Sequence, residues 1–411
     1  MVVDQGLSSV SNFMVTAAVA SAATVEEFGS VSLALLVYAV VLGLSRSFLG
    51  ETLIAARSFD DSAGGYSKGQ SARDAVACCL LGAVGVSVSL AVIAVVLDLV
   101  FLTILACALP LLLLQDVSRY LGFSLDKVWV AVSADLGWVA LYLAYVVASV
   151  LGIVPGDATL RFAMWCVSGG AAGVLGIILA FVTLPAARGR VSPLRYIRKF
   201  GRLGAFYCGE YGLGSGAGQA VVAVAAVVAS TEVLGAVRGA QLLLGPVAVL
   251  FTGLQVVLTV RGQDLLRRGG DISLLLVTQA KVGAGLGVFV AVLVGALWLL
   301  PDQVGELVLG ETWHDARVVM LWLGLGAIAT ALGVAASSGL RATRSGSSAG
   351  LARLVSAPFV IAAGLAGAFF GSLHSLGVGI MLGNVCTALG YWFFFVRSSA
   401  SGGGVSLSRT V

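Results

Sequence analysis

Apolar runs recur down the whole chain, and short polar segments separate them. A bilayer-crossing helix needs about 20 mostly apolar residues. The runs match that length and predict helices near 5–23, 28–50, 74–96, 98–115, 128–150, 160–184, 204–229, 233–259, 273–299, 317–340, 349–371 and 375–396. Hydrocarbon offers backbone groups no partner, so segments this long must satisfy their hydrogen bonds internally, as helices do. The pattern predicts an all-α integral membrane protein with about twelve transmembrane helices.

Composition agrees: of 411 residues, 59% are apolar and 11% charged, whereas soluble domains carry about 25% charged residues. Lys and Arg in short connectors are retained on the cytoplasmic side. With both termini inside, 19 of the 24 basic residues fall on the inner side. Arg161, Arg238 and Arg317 fall outside, while Arg46 and Lys281 stay within spans. An odd number of spans would scramble this asymmetry. The net charge of +4 is thus spread over connectors facing anionic lipid, and no segment reads as a nucleic-acid arm. The opening MVVDQG lacks a secretory cleavage signal, so the first span is expected to persist as a helix. The six cysteines lie in or beside apolar spans, without disulfide or metal spacing.

The basic connector RGRVSPLRYIRKFGR (188–202) divides six spans from six. It predicts an N-terminal lobe over 1–186, an inter-lobe linker over 187–203, a C-terminal lobe over 204–396 and a cytoplasmic tail over 397–411. A shift of 206 positions lays TVEEFGSVSLALLVY, from Thr24, on STEVLGAVRGAQLLL, from Ser230, and aligns Phe28-Gly29 with Leu234-Gly235. Even-numbered halves repeat in parallel about an axis along the membrane normal, which places a cavity between two pseudo-symmetric lobes. The 54 glycines allow close helix approach where lipid gives no hydrophobic drive. The densest cluster, GLGSGAG (212–218), lacks a Walker lysine and reads as packing or helix flexibility. Pro110, Pro246 and Pro358 fall inside spans, where each is expected to kink its helix.

Polar residues within spans are the functional pointers, because burying a charge in hydrocarbon costs about 2.5–3.5 kcal/mol on insertion scales. Gln5, Ser8, Asn12 and Thr16 form one stripe on the first span. Arg238, Gln241, Gly245, Thr252, Gln255 and Thr259 follow a seven-residue rhythm on the eighth. These stripes line a solvated cavity or act as interhelical hydrogen-bond glue. Arg46 lies two turns from Tyr38, where it faces a cavity or snorkels to headgroups. Lys281 lies too deep for easy snorkelling and leans toward a cavity or a carboxylate partner, with Asp135 and Glu210 the candidates. Those two acids are also the candidate proton or ion carriers, whereas Asp98 and Asp116 read as span-end residues. His314 and His374 show no zinc spacing, and no catalytic triad or carboxylate pair stands out. The reading is a non-enzyme without metal or cofactor.

The opening DQGLSSVSNF (4–13) and VEEFGSVSLALLVY (25–38) resemble Wzx-type polysaccharide flippases of the multidrug/oligosaccharidyl-lipid/polysaccharide (MOP) exporter superfamily. The resemblance implies a MATE-like fold of two six-helix lobes. It implies a transporter that moves a polyprenyl-diphosphate-linked oligosaccharide from the inner to the outer leaflet of a bacterial plasma membrane by alternating access. The first, second, seventh and eighth spans would line the cavity, which carries a substrate-binding role to Gln5, Asn12, Thr16, Tyr38, Arg46, Gln219, Arg238, Gln241 and Gln255, with Lys281 added for its charge. Membrane lipids, a polysaccharide polymerase and glycosyltransferases are the implied partners of a functional monomer. A cation-coupled drug exporter using Asp135 or Glu210, and a membrane-embedded polymerase or ligase, are the competing readings.

Overall fold

The computed structural model describes residues 2–56, 67–125, 127–183, 190–228, 231–343 and 346–400. These form sixteen α-helices with two π-helical turns and one 3-10 turn. The chain divides into two compact units, residues 1–219 with 305–313, and residues 220–304 with 314–411.

The first unit contains α1 (Val2–Ala20), α2 (Val25–Ser45), α3 (Glu51–Ala56), α4 (Lys68–Val96), α5 (Val100–Ser124), α6 (Val128–Val150), α7 (Ala158–Thr183), α8 (Pro193–Tyr211) and the first turn of α9 (Ala217–Val228). The rest of α9 lies in the second unit with α10 (Thr231–Leu243), α11 (Gly245–Arg267), α12 (Ile272–Trp298), most of α14 (Trp313–Ala342), α15 (Gly346–Phe369) and α16 (Leu373–Ala400). Helix α13 (Asp302–Leu309) begins in the second unit and ends in the first. Ten helical stretches of the described residues are long and apolar enough to cross a membrane. They correspond to the expected spans except the first, α1, and the seventh, which α8 and α9 form together.

Local chemistry sets the boundaries. Thr24 caps α2 through a reciprocal box: its hydroxyl accepts from the Glu27 amide at 3.2 Å, and Glu27 Oε2 accepts the Thr24 amide at 2.9 Å. This box lies in the TVEEFG segment whose offset of 206 positions carries Val25, first residue of α2, onto Thr231, first residue of α10. Between α4 and α5, Asp98 adopts φ of 53°, the left-handed region that short polar side chains tolerate. The Leu99 amide closes that corner on the Ala94 carbonyl at 2.8 Å.

Three features depart from the sequence pattern. Helix α5 runs to Ser124 rather than ending near 115. Pro246 opens α11 instead of kinking a continuous eighth span, because α10 stops at Leu243. The predicted linker is, over its described part, mostly the N-terminal portion of α8, which packs on α4 and on the turn after α2 within the first unit. GLGSG (212–216) forms a π turn that joins α8 to α9, and Arg46–Gly50 forms another that joins α2 to α3.

The first unit centres on α5, which packs against α2, α4, α6 and α7, with Leu105, Leu109, Leu112 and Leu121 fully buried. In the second unit Leu275, Ala336, Leu340, Ala352, Tyr391 and Phe395 form a core shared by α12, α14, α15 and α16. Small residues set the helix separation. A Cβ on Gly173 of α7 would collide with the backbone carbonyl oxygen of Leu111 and meet the Gln115 amide at 3.0 Å. Gly82 of α4 has open space around the same position. Gly173→Ala should therefore cost about 1–3 kcal/mol through overpacking, and Gly82→Ala should leave stability unchanged or slightly raised. Thermal unfolding of the two purified variants checks this contrast, which equal melting temperatures would contradict.

Candidate functional site

Among the described residues, the first unit links four charges, three of them buried and Arg46 half-buried. Helix α5 places Asp116 and Arg119 one turn apart, with Gln115 beside them, and α6 supplies Asp135. Arg46 opens the π turn after α2. The Asp116 Oδ1 atom accepts from Arg46 Nε at 2.9 Å, Arg46 Nη2 at 2.7 Å and Arg119 Nη1 at 3.1 Å. Arg119 Nε lies 3.4 Å from Asp135 Oδ2, and Gln115 Nε2 donates to Asp135 Oδ1 at 2.5 Å. Asp116, Asp135 and Arg119 are 1%, 2% and 4% exposed.

Two carboxylates and two guanidiniums sum to zero charge, the condition under which ions can be held away from water. The sharing is uneven: Asp116 Oδ1 takes three donors, whereas Oδ2 is buried with no hydrogen-bond partner among the described residues. Arg46 is the member that reaches the surface, with 29% of its side chain exposed. The arrangement can present an oriented guanidinium to an anion while Asp116 keeps it aimed. π turns are rare and concentrate at functional positions; here the turn begins at the residue that makes the ion pair.

An aromatic wall adjoins the network. Tyr38 packs edge-on against Trp165 at 5.5 Å between centroids, and Trp138 and Phe162 pack on the same indole. Trp138 Nε1 donates to the Trp165 carbonyl at 3.1 Å, and Trp165 Nε1 donates to Ser11 Oγ at 3.2 Å, which ties α1 to α7. Nearer the α7–α8 connector, fully buried Asp74 of α4 accepts the Ser192 amide at 2.8 Å and Gln70 Nε2 at 3.0 Å, and pairs with Arg195 Nε at 3.0 Å. Tyr196 shares a 2.6 Å hydrogen bond with Thr52 Oγ1, and burial holds its phenol protonated above the ordinary tyrosine range. Helix α8 is therefore fastened to the first unit at its N-terminal end.

The predicted site residues distribute as follows. Arg46 and Asp135 join the network, while Tyr38 is buried in the aromatic wall. Asn12 is exposed on α1, and Thr16, half-buried, donates back to the Asn12 carbonyl at 2.8 Å. Gln219 is half-buried on α9. In the second unit Arg238 Nη1 donates to Gln241 Oε1 at 3.1 Å. Gln255 Nε2 donates to Ser337 Oγ at 3.0 Å, tying α11 to α14. Gln5 and Glu210 lie on α1 and α8, and their side chains are outside the described residues.

Several expectations need correction. Asp116 is a buried mid-helix anion, not a span-end residue, and Arg119 is buried beside it rather than exposed in an inner connector. Arg46 is held by Asp116, 70 residues away in sequence, rather than by snorkelling. Asp135 pairs with Arg119, while Lys281 is exposed and makes no ion pair among the described residues. The signal for Asp116 and Arg119 was present as QDVSR (115–119): opposite charges at i and i+3 share one helix face.

No protein-family profile matches the sequence, and no curated protein matches it. Solved structures do. An inward-facing multidrug resistance MATE family transporter of the MOP superfamily superposes with a TM-score of 0.72 at 14% identity, covering 98% of this chain and 96% of that one. The chain has a MATE-like fold. An outward-facing MATE family transporter of the MOP superfamily gives 0.63 at 14% identity over 98% of this chain and 94% of that one. The lipid II flippase MurJ, in an inward closed conformation, gives 0.70 at 10% identity over 97% and 89%. The MATE-like fold thus spans nearly the whole chain, as the sequence resemblance implied.

Removing one member of the charge network should be far worse than removing a neutral pair. Arg119→Gln leaves Asp135 without its guanidinium and should cost about 3–5 kcal/mol. Adding Asp135→Asn should recover at least half of that loss. Chemical denaturation of the single and double variants measures the coupling, and additive losses would contradict it.

Proposed function

We propose that the chain is a membrane transporter that moves a polyprenyl-diphosphate-linked oligosaccharide from the inner to the outer leaflet by alternating access. The observation that carries this reading is the fold shared with a lipid flippase over 97% of the chain, taken with the Wzx-like segments 4–13 and 25–38. The superfamily's inward- and outward-facing structures support alternation as the mode of movement. A diphosphate and its sugars cannot cross hydrocarbon unaided, whereas the lipid tail can remain in the bilayer.

In this reading Arg46 contacts the diphosphate, because its guanidinium is partly exposed and already oriented by Asp116. Asn12 and Thr16, on α1 of the same unit, are proposed as contacts for the sugar headgroup. The protein works as a monomer in a bacterial plasma membrane, with both termini cytoplasmic as the Lys and Arg asymmetry favours. A polymerase and glycosyltransferases of a surface polysaccharide pathway are its functional partners.

Mass spectrometry of lipid-linked glycans in a strain lacking the protein, with leaflet sidedness read by an impermeant sugar-modifying enzyme, tests the substrate. Complete repeat units confined to the inner leaflet are the expected result. Single units stranded on the outer leaflet would indicate a polymerase instead. An unchanged glycan pool, with cation-driven drug efflux abolished by Asp135→Asn, would replace the flippase reading with a drug exporter.

A further inference from the structure

Helix α8 carries two incompatible kinds of exposed side chain. One face, with Tyr196, Phe200 and Gly204, is buried on the first unit, where Tyr196 meets Thr52 and Gly204 lies against Phe48. The other exposes Leu194 (64%) and Ile197 (43%) beside exposed Arg198, Lys199 and Arg202. Val191, just before the helix, and Phe206 extend the apolar part at 50% and 67% exposure. No acidic residue occurs from 188 to 209, a stretch with six cations. Asp74, the buried acid beneath the helix start, pairs with Arg195.

A face turned to hydrocarbon would not hold three cations, and one turned to bulk water gains nothing by exposing leucine and isoleucine together. Both requirements are met at the bilayer interface, where apolar side chains enter the acyl boundary and cations meet phosphate. We propose that the outward face of α8 is a binding surface for anionic phospholipid headgroups, with Arg198 and Arg202 contacting phosphate and Leu194 and Ile197 inserted beside it. The helix runs through the π turn Gly212–Gly216 into α9, within which the two compact units divide at Gln219 and Ala220. Bound lipid therefore stabilises the helix that connects the two units.

The proposal does not depend on the transported substrate, and its test reads binding rather than transport. Full-length protein in detergent is titrated with phosphatidylglycerol or phosphatidylcholine micelles, and the lipid concentration giving half-maximal thermal stabilisation is recorded. Each cation near an anionic surface is worth roughly fivefold in affinity. Arg198→Gln/Arg202→Gln should therefore weaken the phosphatidylglycerol response by at least fivefold. A charge-matched control at exposed Arg268 and Arg341, Arg268→Gln/Arg341→Gln, should weaken it by less than the α8 pair does. Leu194→Ser/Ile197→Ser should weaken the response to phosphatidylglycerol without changing the unliganded melting temperature. Equal stabilisation by the two lipids, an equal loss in the control, or full stabilisation by soluble glycerol phosphate would overturn the proposal.

Discussion

Asp116 lies where α2 and α5 meet, and a single oxygen of its carboxylate receives both arginines of the network. An anion at 1% exposure in an apolar unit is tenable only while those donors remain, so the path of the second span is tied to this contact. The chain leaves regular helix at Arg46, widens into a π turn and resumes regular helix at Glu51. Arg119 passes the constraint to Asp135 on α6, so three expected spans share one electrostatic unit. Gly50 lets Tyr120 approach the π turn closely, with its ring atoms 2.7 Å from where a Cβ would stand. Packing and electrostatics thus specify the same local geometry.

The same logic explains why α8 belongs with the first unit although it leads into the second. Asp74 gathers an amide, a carboxamide and a guanidinium, and Tyr196 reaches Thr52 at the end of the π-distorted helix. Tyr211 donates to the Ala39 carbonyl at 3.2 Å, and Gly43 leaves room for its ring. Helix α8 is therefore anchored to the first unit at both its N-terminal and C-terminal ends.

Much of this was legible in the sequence. Run length and spacing carried the helical class and ten of the twelve expected spans, because hydrocarbon imposes both. The Thr24 to Glu27 capping box had gone unread in TVEEFG, and GLGSG, read as packing or helix flexibility, forms a π turn. The charge network was less legible. Ending the fourth span at 115 made Asp116 and Arg119 look like solvated loop residues. The i, i+3 pair in QDVSR pointed to a helix that continues, but the partner 70 residues away is what shows those charges to be inside. Lys281 misled in the other direction: depth in a span suggested a buried partner, yet its position on α12 leaves it exposed. Which face of a helix is covered depends on neighbours that one helix's pattern does not name.

Hydrogen exchange along the second span tests the central role of Asp116 most directly. In the wild-type protein, amides from 46 to 52 should be protected to nearly the level of α5. In Asp116→Asn, protection should fall first and most strongly over those residues, while the capped start of α2 at Val25 to Tyr38 stays protected. Unchanged protection across 46–52, or a uniform loss along all of α2, would contradict the claim that this buried carboxylate fixes the π turn and the helix beyond it.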